Sequence, residues 1–177
     1  MATLKIVTYG NPILREKTKP VKKIDATIKT LVRNMIETMH KADGIGLAAP
    51  QIGKSLALFV VDISPIEEGH QPMVFMNVEI LSSKGNAPYK EGCLSIPGVY
   101  ADVHRPEKIK LRYMDMDGKT HEVAADGLLA RVIQHENDHI NGKLFIDYLD
   151  EETLAPLRPE IEAIEAKYKK PTVAKKK

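Results

Sequence analysis

The stretch DGLLARVIQHENDHIN, residues 126–141, constrains the fold and chemistry of this chain more than any other. On a helical wheel its aliphatic residues share one side, and His135, Glu136 and His139 lie on that same side. The other side carries polar residues, which the wheel predicts to face away from the core: Arg131, Gln134, Asn137, Asp138 and Asn141. Burying polar groups without partners costs about 1–3 kcal/mol each. The pattern therefore predicts a bound divalent metal, since imidazoles at positions i and i+4 can reach one ion.

Glu136 lies beside the two histidines, where a general base acting on a water molecule is expected. The alternative is a pair of core histidines that are satisfied by ordinary hydrogen bonds. A catalytic metal site usually has three protein ligands, so a third must come from elsewhere. Downstream of residue 141 there is no His or Cys. The acidic candidates there are Asp147, Asp150, Glu151 and Glu152, whereas the upstream candidate is Cys93.

Cys93 is the single cysteine and lies in EGCLSIPG, residues 91–98. A lone cysteine is more often a small buried apolar residue than a ligand. Gly92 and the pair Pro97-Gly98 predict a shaped loop here rather than the middle of a strand. A thiolate with two imidazoles is a plausible catalytic ligand set. A nucleophilic Cys–His pair is the alternative, but it leaves the histidine spacing and Glu136 unexplained.

The stretch GIGLAAPQIG, residues 44–53, is rich in glycine and small apolar residues. Gly44 and Gly46 permit close approach of the backbone to another group. The stretch lacks the Gly-Lys-Ser/Thr ending of a phosphate-binding loop. Gln51 has an amide that can donate a hydrogen bond to a developing oxyanion. The alternative is a tight packing loop in which this glutamine has no chemical role.

Periodicity elsewhere indicates an α+β protein, because helices and strands do not alternate as βαβ units. An amphipathic helix is predicted over 25–44, with Asp25 as N-cap and Gly44 as the stop. Strands are predicted over 56–63 and 72–80, and a hairpin over 108–125 that turns at Asp117-Gly118. The other helices are predicted over 126–140 and, because of Pro156 and Pro159, after residue 159.

Composition is that of an ordinary globular protein, with 43% hydrophobic and 28% charged residues. The 177 residues predict one domain over 1–166 followed by a basic, disordered tail over 167–177. That tail holds six lysines and no acid. Since the chain has no long apolar segment, no signal-peptide pattern and no pair of cysteines, we expect a cytoplasmic protein.

Three stretches, GIGLAAPQ, EGCLS and QHENDH, together resemble the three motifs of peptide deformylases in order and spacing. The resemblance spans about residues 3–150. It implies antiparallel strands wrapped around a central HExxH-bearing helix, with an N-terminal and a C-terminal helix. It also implies a hydrolase that removes the formyl group from the N-terminal formyl-methionine of nascent polypeptides and releases formate.

Carried onto this chain, the resemblance implies that Cys93, His135 and His139 bind the metal and that Glu136 is the catalytic glutamate. Gln51 and the backbone N–H of Leu94 correspond to oxyanion donors. Residues implied at the substrate are Gly46, through its backbone, and Ile45, Leu128, Val132 and His135 around the methionine side chain.

The resemblance also pairs Glu91 with Arg105, for which the alternative is an exposed pair worth under about 1 kcal/mol. Arg131 stands where an aliphatic residue is common, which predicts a more polar rim of the methionine pocket. No catalytic position of the family pattern is missing from this sequence.

The family implies Fe²⁺ as the native ion, and one sulfur with two nitrogen ligands also suits Zn²⁺, Ni²⁺ or Co²⁺. The implied setting is the bacterial cytoplasm or, as an alternative, an organelle. Expected partners are formyl-methionyl nascent peptides and the ribosome, through the C-terminal helix and the lysine tail; no membrane or specific DNA is expected. Two other hypotheses remain: an HExxH protease that cuts internal bonds, and a non-enzymatic metal-stabilised protein that docks on the ribosome through 160–177.

Overall fold

A computed structural model of the chain describes residues 2–169. Within these residues lie four helices, seven strands and four short 3-10 turns. The helices are α1 (Ala26–Lys41), α2 (Gly127–Ile140), α3 (Glu151–Leu154) and α4 (Arg158–Lys169). The strands are β1 (Gly46–Ala48), β2 (Leu58–Val61), β3 (Met73–Lys84), β4 (Ala87–Cys93), β5 (Ile96–Arg105), β6 (Lys108–Met114) and β7 (Thr120–Asp126).

Five strands form one antiparallel sheet in the order β1-β2-β3-β6-β7, and this sheet separates α1 from α2. Strand β2 is buried on both faces, because successive side chains point to opposite sides of a strand. Leu58 and Val60 pack in the cluster that contains Met35 of α1. Phe59 and Val61 pack in the cluster that contains residues of α2. The helix with the HExxH motif is thereby fixed against the centre of the sheet.

The remaining two strands, β4 and β5, form a separate antiparallel hairpin whose turn is Leu94–Ser95. Its inner face packs on the C-terminal segment through Phe145, Ile161 and Ile164. The loop predicted around Cys93 is therefore only partly present. Cys93 is the last residue of β4, which agrees with the prediction that it does not lie in the middle of a strand. Pro97 and Gly98, however, lie inside β5 rather than in a loop.

The periodic elements lie where the sequence predicts them. Helix α1 begins after Asp25, whose carboxylate accepts hydrogen bonds from the N–H groups of Thr27 and Ile28. The predicted hairpin is the β6–β7 pair, and the second helix is α2. The architecture is α+β with antiparallel strands, a central α2 and a C-terminal helix, as predicted.

The C-terminal helical region begins earlier than predicted, at Glu151. Helix α3 passes through a 3-10 turn that contains Pro156 into α4, which extends to Lys169. Residues 167–169 of the expected tail thus belong to α4, while 170–177 lie outside the described residues. Within the described part of the chain, no helix is long and apolar enough to cross a membrane.

The helical-wheel assignment of α2 was wrong at two positions. Arg131 and Gln134, predicted on the solvent side, are both buried. The hairpin β4–β5 and its flanks cover that side of the helix: Gln134 donates to Pro106 O, and Arg131 donates to carbonyl groups of both strands. Helix α2 is consequently enclosed by protein on nearly all sides.

Candidate metal centre and active site

Cys93, His135 and His139 come together at the junction of β4 and α2. Their ligand atoms all lie within 4.8 Å of one another, and His139 Nε2 is 3.3 Å from Cys93 Sγ. In residues 2–169 no other group of His, Cys, Asp and Glu side chains meets the same criterion. The two histidines converge because they are one helical turn apart on α2, and the cysteine joins them because β4 ends beside that helix. The upstream candidate for a third ligand is therefore the one that the fold brings to the histidines.

Three of the four downstream acids have other partners. Asp147 forms an ion pair with Arg15, and Asp150 caps α3 by accepting from the Thr153 N–H. Glu151 pairs with Arg158. None of the acids proposed by type belongs to the metal-ligand cluster within the described part of the chain.

Glu91 orients His135 from behind. The Nδ1 atom of His135 lies 2.9 Å from Glu91 Oε2, so the ring donates a hydrogen bond there and Nε2 is the atom that would bind a metal. Arg105 donates to both oxygens of Glu91, at 2.7 and 3.0 Å. The side chains of Glu91 and Arg105 are only 5% and 4% exposed. The Glu91–Arg105 pair is thus a buried, forked ion pair and not the exposed pair of the alternative interpretation.

Arg131 lines the same cleft as Leu128 and Val132, so the predicted polar contribution to the rim of the methionine pocket stays a prediction. Its guanidinium points toward Glu91 and the carbonyl oxygens of Ala87 and Val103. All of these groups lie in the β4–β5 hairpin. No local spacing in the sequence indicates this contact, because Glu91 is 40 residues from Arg131.

Glu136 lies on the inner side of α2, next to β1. It is 3% exposed, and its Oε2 atom is buried with no hydrogen-bond partner among the described residues. Gly46 makes this position possible, because a Cβ on Gly46 would lie 2.3 Å from Glu136 Oε1. An acceptor that is buried without a donor is suited to receiving a proton from water or substrate.

Gln51 is buried in a 3-10 turn after β1, with its amide directed at the metal-ligand cluster. Its Oε1 accepts from the Ala48 N–H at 2.8 Å, which fixes the side chain so that Nε2 faces Cys93 Sγ at 3.5 Å. Nε2 also lies 3.3 Å from the hydroxyl of Ser95, a buried residue that the sequence did not single out. The amide donor is therefore pre-oriented beside Cys93.

A cleft of about 470 Å³ opens above these groups. Its wall brings together every residue that the sequence placed at the substrate and most of those at the metal. The predicted residues that line it are Ile45, Gly46, Gln51, Cys93, Leu94, Leu128, Val132, His135 and Glu136. His139 is 1% exposed and lies behind this wall. Exposed Tyr89 and Tyr100 stand at the cleft edge and were not predicted there.

Burial and hydrogen bonding together shift the pKa values of the groups in the site. It raises the pKa of Glu136 to about 7, whereas a cation beside that carboxylate would favour the ionised form. Burial also raises the pKa of Glu91, but the hydrogen bonds from His135 and Arg105 outweigh it and hold that pKa at about 2. Burial lowers the pKa of His139 well below its ordinary value, so this imidazole is neutral and can act as a ligand.

A family model for polypeptide deformylases matches residues 3–155, which is most of the chain. The chain belongs to the peptide deformylase family. A peptide deformylase of Chlorobaculum parvum is 46% identical over 163 residues, covering 91% of this chain and 87% of the relative. One of Salinibacter ruber is 50% identical over 156 residues, covering 82% and 80%.

Solved deformylase structures share the fold described above. The crystal structure from Legionella pneumophila has a TM-score of 0.86 at 42% identity and covers 96% of this chain and 100% of its own. That of the Thermus thermophilus deformylase has a TM-score of 0.87 at 39% identity, covering 94% and 99%. The chain is accordingly a hydrolase that removes the N-terminal formyl group from nascent peptides.

The residues at the deformylase site fit the metal ion that the family implies. One sulfur and two imidazole nitrogens converge, and three protein ligands are typical of catalytic metal sites. His139 Nδ1 is buried and without a partner among the described residues, so its imidazole is not already committed to a hydrogen-bond network through that atom. The chemistry of the donor set is thus suited to one divalent cation.

Proposed function

We propose that this deformylase holds one divalent cation through Cys93, His135 and His139 and that Glu136 is its general base and acid. The observation that carries this proposal is the convergence of the three donors beside a buried, unpartnered carboxylate at the base of one cleft. When bound, such a cation supplies Lewis-acid polarisation of a carbonyl and lowers the pKa of a water molecule.

The side chains carry out the proton transfers. Glu136 takes a proton from the attacking water as the oxygen joins the formyl carbon, and returns it to the amine nitrogen as the C–N bond breaks. Formate and a free N-terminal amine are the products. The Gln51 Nε2 and the Leu94 N–H donate hydrogen bonds to the oxyanion, each worth about 2.7–4 kcal/mol in comparable sites.

The apolar part of the cleft receives the methionine side chain. Ile45, Leu128 and Val132 line the wall next to His135, which places the reacting end of the substrate at the metal ligands. Gly46 lines the same cleft and lies against Glu136, where its backbone can contact the substrate chain.

We propose Fe²⁺ as the native ion, with Zn²⁺, Ni²⁺ and Co²⁺ as substitutes, because a mixed sulfur and imidazole set accepts all four. We also propose that 1–166 is one catalytic domain that acts in the cytoplasm on chains emerging from the ribosome. Exposed residues of α4 and the lysines that follow are its candidate contact with the ribosome. The test is truncation after residue 166. If ribosome binding at low salt is unchanged, this part of the proposal is wrong.

The direct test is mass spectrometry of a formyl-Met-Ala-Ser peptide after anaerobic incubation with the purified, metal-loaded protein. We expect loss of one formyl group from an otherwise intact peptide. Cleavage of an internal bond would instead support the protease hypothesis, and an unchanged peptide with metal bound would support the non-enzymatic one. The Glu136→Gln protein is the matched control, since it keeps the three ligands.

A further inference from the structure

Arg131 is a buried cation that the proposed chemistry does not use. It lies on α2 one turn before His135, and its side chain is 9% exposed. Its guanidinium donates to Glu91 Oε1 at 3.1 Å, to Val103 O at 2.8 Å and to Ala87 O at 2.6 Å. A buried arginine with three fixed acceptors has a defined orientation, and each acceptor lies in the β4–β5 hairpin.

Arg131 and His135 of α2 each contact a different oxygen of the Glu91 carboxylate. Arg131 contacts Oε1, while His135 Nδ1 contacts Oε2 at 2.9 Å. Arg105 bridges both oxygens from β5. Because Arg131 and His135 are one helical turn apart, these two contacts hold the carboxylate against one turn of α2. The carboxylate in turn determines which way the His135 ring faces.

The same guanidinium joins the two elements that carry the metal ligands. Ala87 is the first residue of β4, and Cys93 is the last residue of that strand. Val103 pairs with Tyr89 across the hairpin, so the arginine is anchored on both strands. His135 and His139 lie on the helix from which the arginine extends. Arg131 therefore connects the strand that ends in the cysteine to the helix that bears the histidines.

We propose that Arg131 is a positioning residue for the metal centre: it orients His135 through Glu91 and fixes Cys93 relative to α2. This inference rests on the proposed assignment of Cys93, His135 and His139 as ligands. Arg105 still neutralises Glu91 when Arg131 is replaced, and Arg105 also bonds Asp138 at 2.7 Å. The principal loss in such a variant is thus the geometry of the ligands rather than the charge balance.

The test compares Arg131→Met and Arg131→Lys with Arg112→Met. Arg112 is exposed on β6, and its ion pairs among residues 2–169 are with the surface carboxylates of Glu79 and Glu122, so it is a matched arginine outside the site. Co²⁺ affinity is measured by chelator competition, together with the visible absorption and thiolate charge-transfer bands of the cobalt-loaded protein. Urea unfolding of each variant checks that it is folded.

We expect Arg131→Met to bind Co²⁺ about 10–100-fold more weakly, with altered bands, as loss of a partner behind a metal ligand typically does. The ammonium group of lysine cannot donate to the same three acceptors as the planar guanidinium. Arg131→Lys should therefore also bind Co²⁺ more weakly than wild type, although the charge is kept. Arg112→Met should match the wild type. Wild-type Co²⁺ affinity and wild-type absorption bands in Arg131→Lys would overturn the proposal. This criterion still applies if Arg131→Met fails to fold.

The Cys93→Ser protein separates this inference from the function on which it rests. If Cys93→Ser binds Co²⁺ like the wild type, the ligand assignment itself is wrong. If Cys93→Ser loses Co²⁺ but both Arg131 variants keep wild-type affinity and bands, only the role of Arg131 is wrong.

Discussion

Gly46 of β1 and Glu136 of α2 are in such close contact that no side chain fits between them. A Cβ on Gly46 would lie 2.3 Å from Glu136 Oε1 and 2.8 Å from its Cδ. The fold therefore uses the absence of a side chain on β1 to hold a buried carboxylate next to the metal-ligand cluster.

We expect Gly46→Ala to displace the Glu136 carboxylate and lower kcat/KM by about 100-fold, as misplacement of a reacting group by about 1 Å can. Metal content should not change, because the atoms nearest the new Cβ all belong to Glu136 and not to a proposed ligand. Gly44→Ala is the comparison: there the new Cβ meets Leu94 Cδ1 at 2.8 Å, the movable end of a side chain, and the loss should be smaller. Equal losses in the two variants would argue against displacement of Glu136.

Glu136→Gln should bind metal normally and lose turnover. The amide has nearly the same shape as the carboxylate but cannot accept and return a proton, a function worth about 10²–10⁴-fold in rate. Kinetics with a formylated peptide and metal analysis of the same sample check both parts. Full activity of Glu136→Gln would exclude this glutamate as the base.

Cys93→Ser should lower metal affinity and activity together. The expected fall in Zn²⁺ affinity exceeds the roughly 10–100-fold cost of losing only a hydrogen-bond partner of a ligand. Chelator competition measures the affinity, and Ser95→Ala is a nearby control outside the ligand set. Unaltered Zn²⁺ affinity in Cys93→Ser would show that the sulfur is not a ligand.

Periodic patterns predicted the elements whose apolar residues repeat regularly along the chain. Helices α1 and α2 and the β6–β7 hairpin are of this kind. The β4–β5 hairpin was not predicted, because Pro97 and Gly98 interrupt the alternation of β5 near its start. Proline and glycine usually mark loops, and only the pairing partner β4 shows that the strand continues.

Buried charges were the second limit of sequence-based prediction. Arg131 and Arg105 resemble surface residues by type, since an arginine is rarely buried unless it is paired. Their shared partner, Glu91, is 14 residues from Arg105 and 40 from Arg131, so no local spacing reveals either contact. The family resemblance implied the pair with Arg105 but not the contact with Arg131. The His135 and His139 pair was predictable because both ligands lie on one helix. Cys93 and Gln51, which lie far away in sequence, were candidates by residue type and local sequence, and the family resemblance implied their roles.

Asp62 gives the protein a pH-dependent part of its stability. Burial raises its pKa, but hydrogen bonds from the Ser64 N–H and His40 outweigh this and lower it below the ordinary value of 3.8. A lowered folded pKa stabilises the fold above the ordinary value, and this stabilisation disappears as pH falls through the folded pKa. Urea unfolding should show Asp62→Asn less stable than wild type near neutral pH, with a difference that shrinks below pH 3.8. A constant difference would contradict this origin.

Asn77 holds an irregular part of β3 in a left-handed conformation, with φ of 54°. Its side chain accepts from the Val21 N–H at 2.8 Å and donates to Val21 O at 2.9 Å, as a strand partner would. Asn77→Gly keeps the conformation but loses both bonds, each worth about 0.5–1.5 kcal/mol. Asn77→Ala should be destabilised by about 1–2 kcal/mol more, because alanine disfavours positive φ. In urea unfolding of the metal-loaded proteins, we expect the free energy of unfolding to decrease from wild type to Asn77→Gly to Asn77→Ala. An alanine variant as stable as the glycine variant would show that the backbone at residue 77 relaxes without cost.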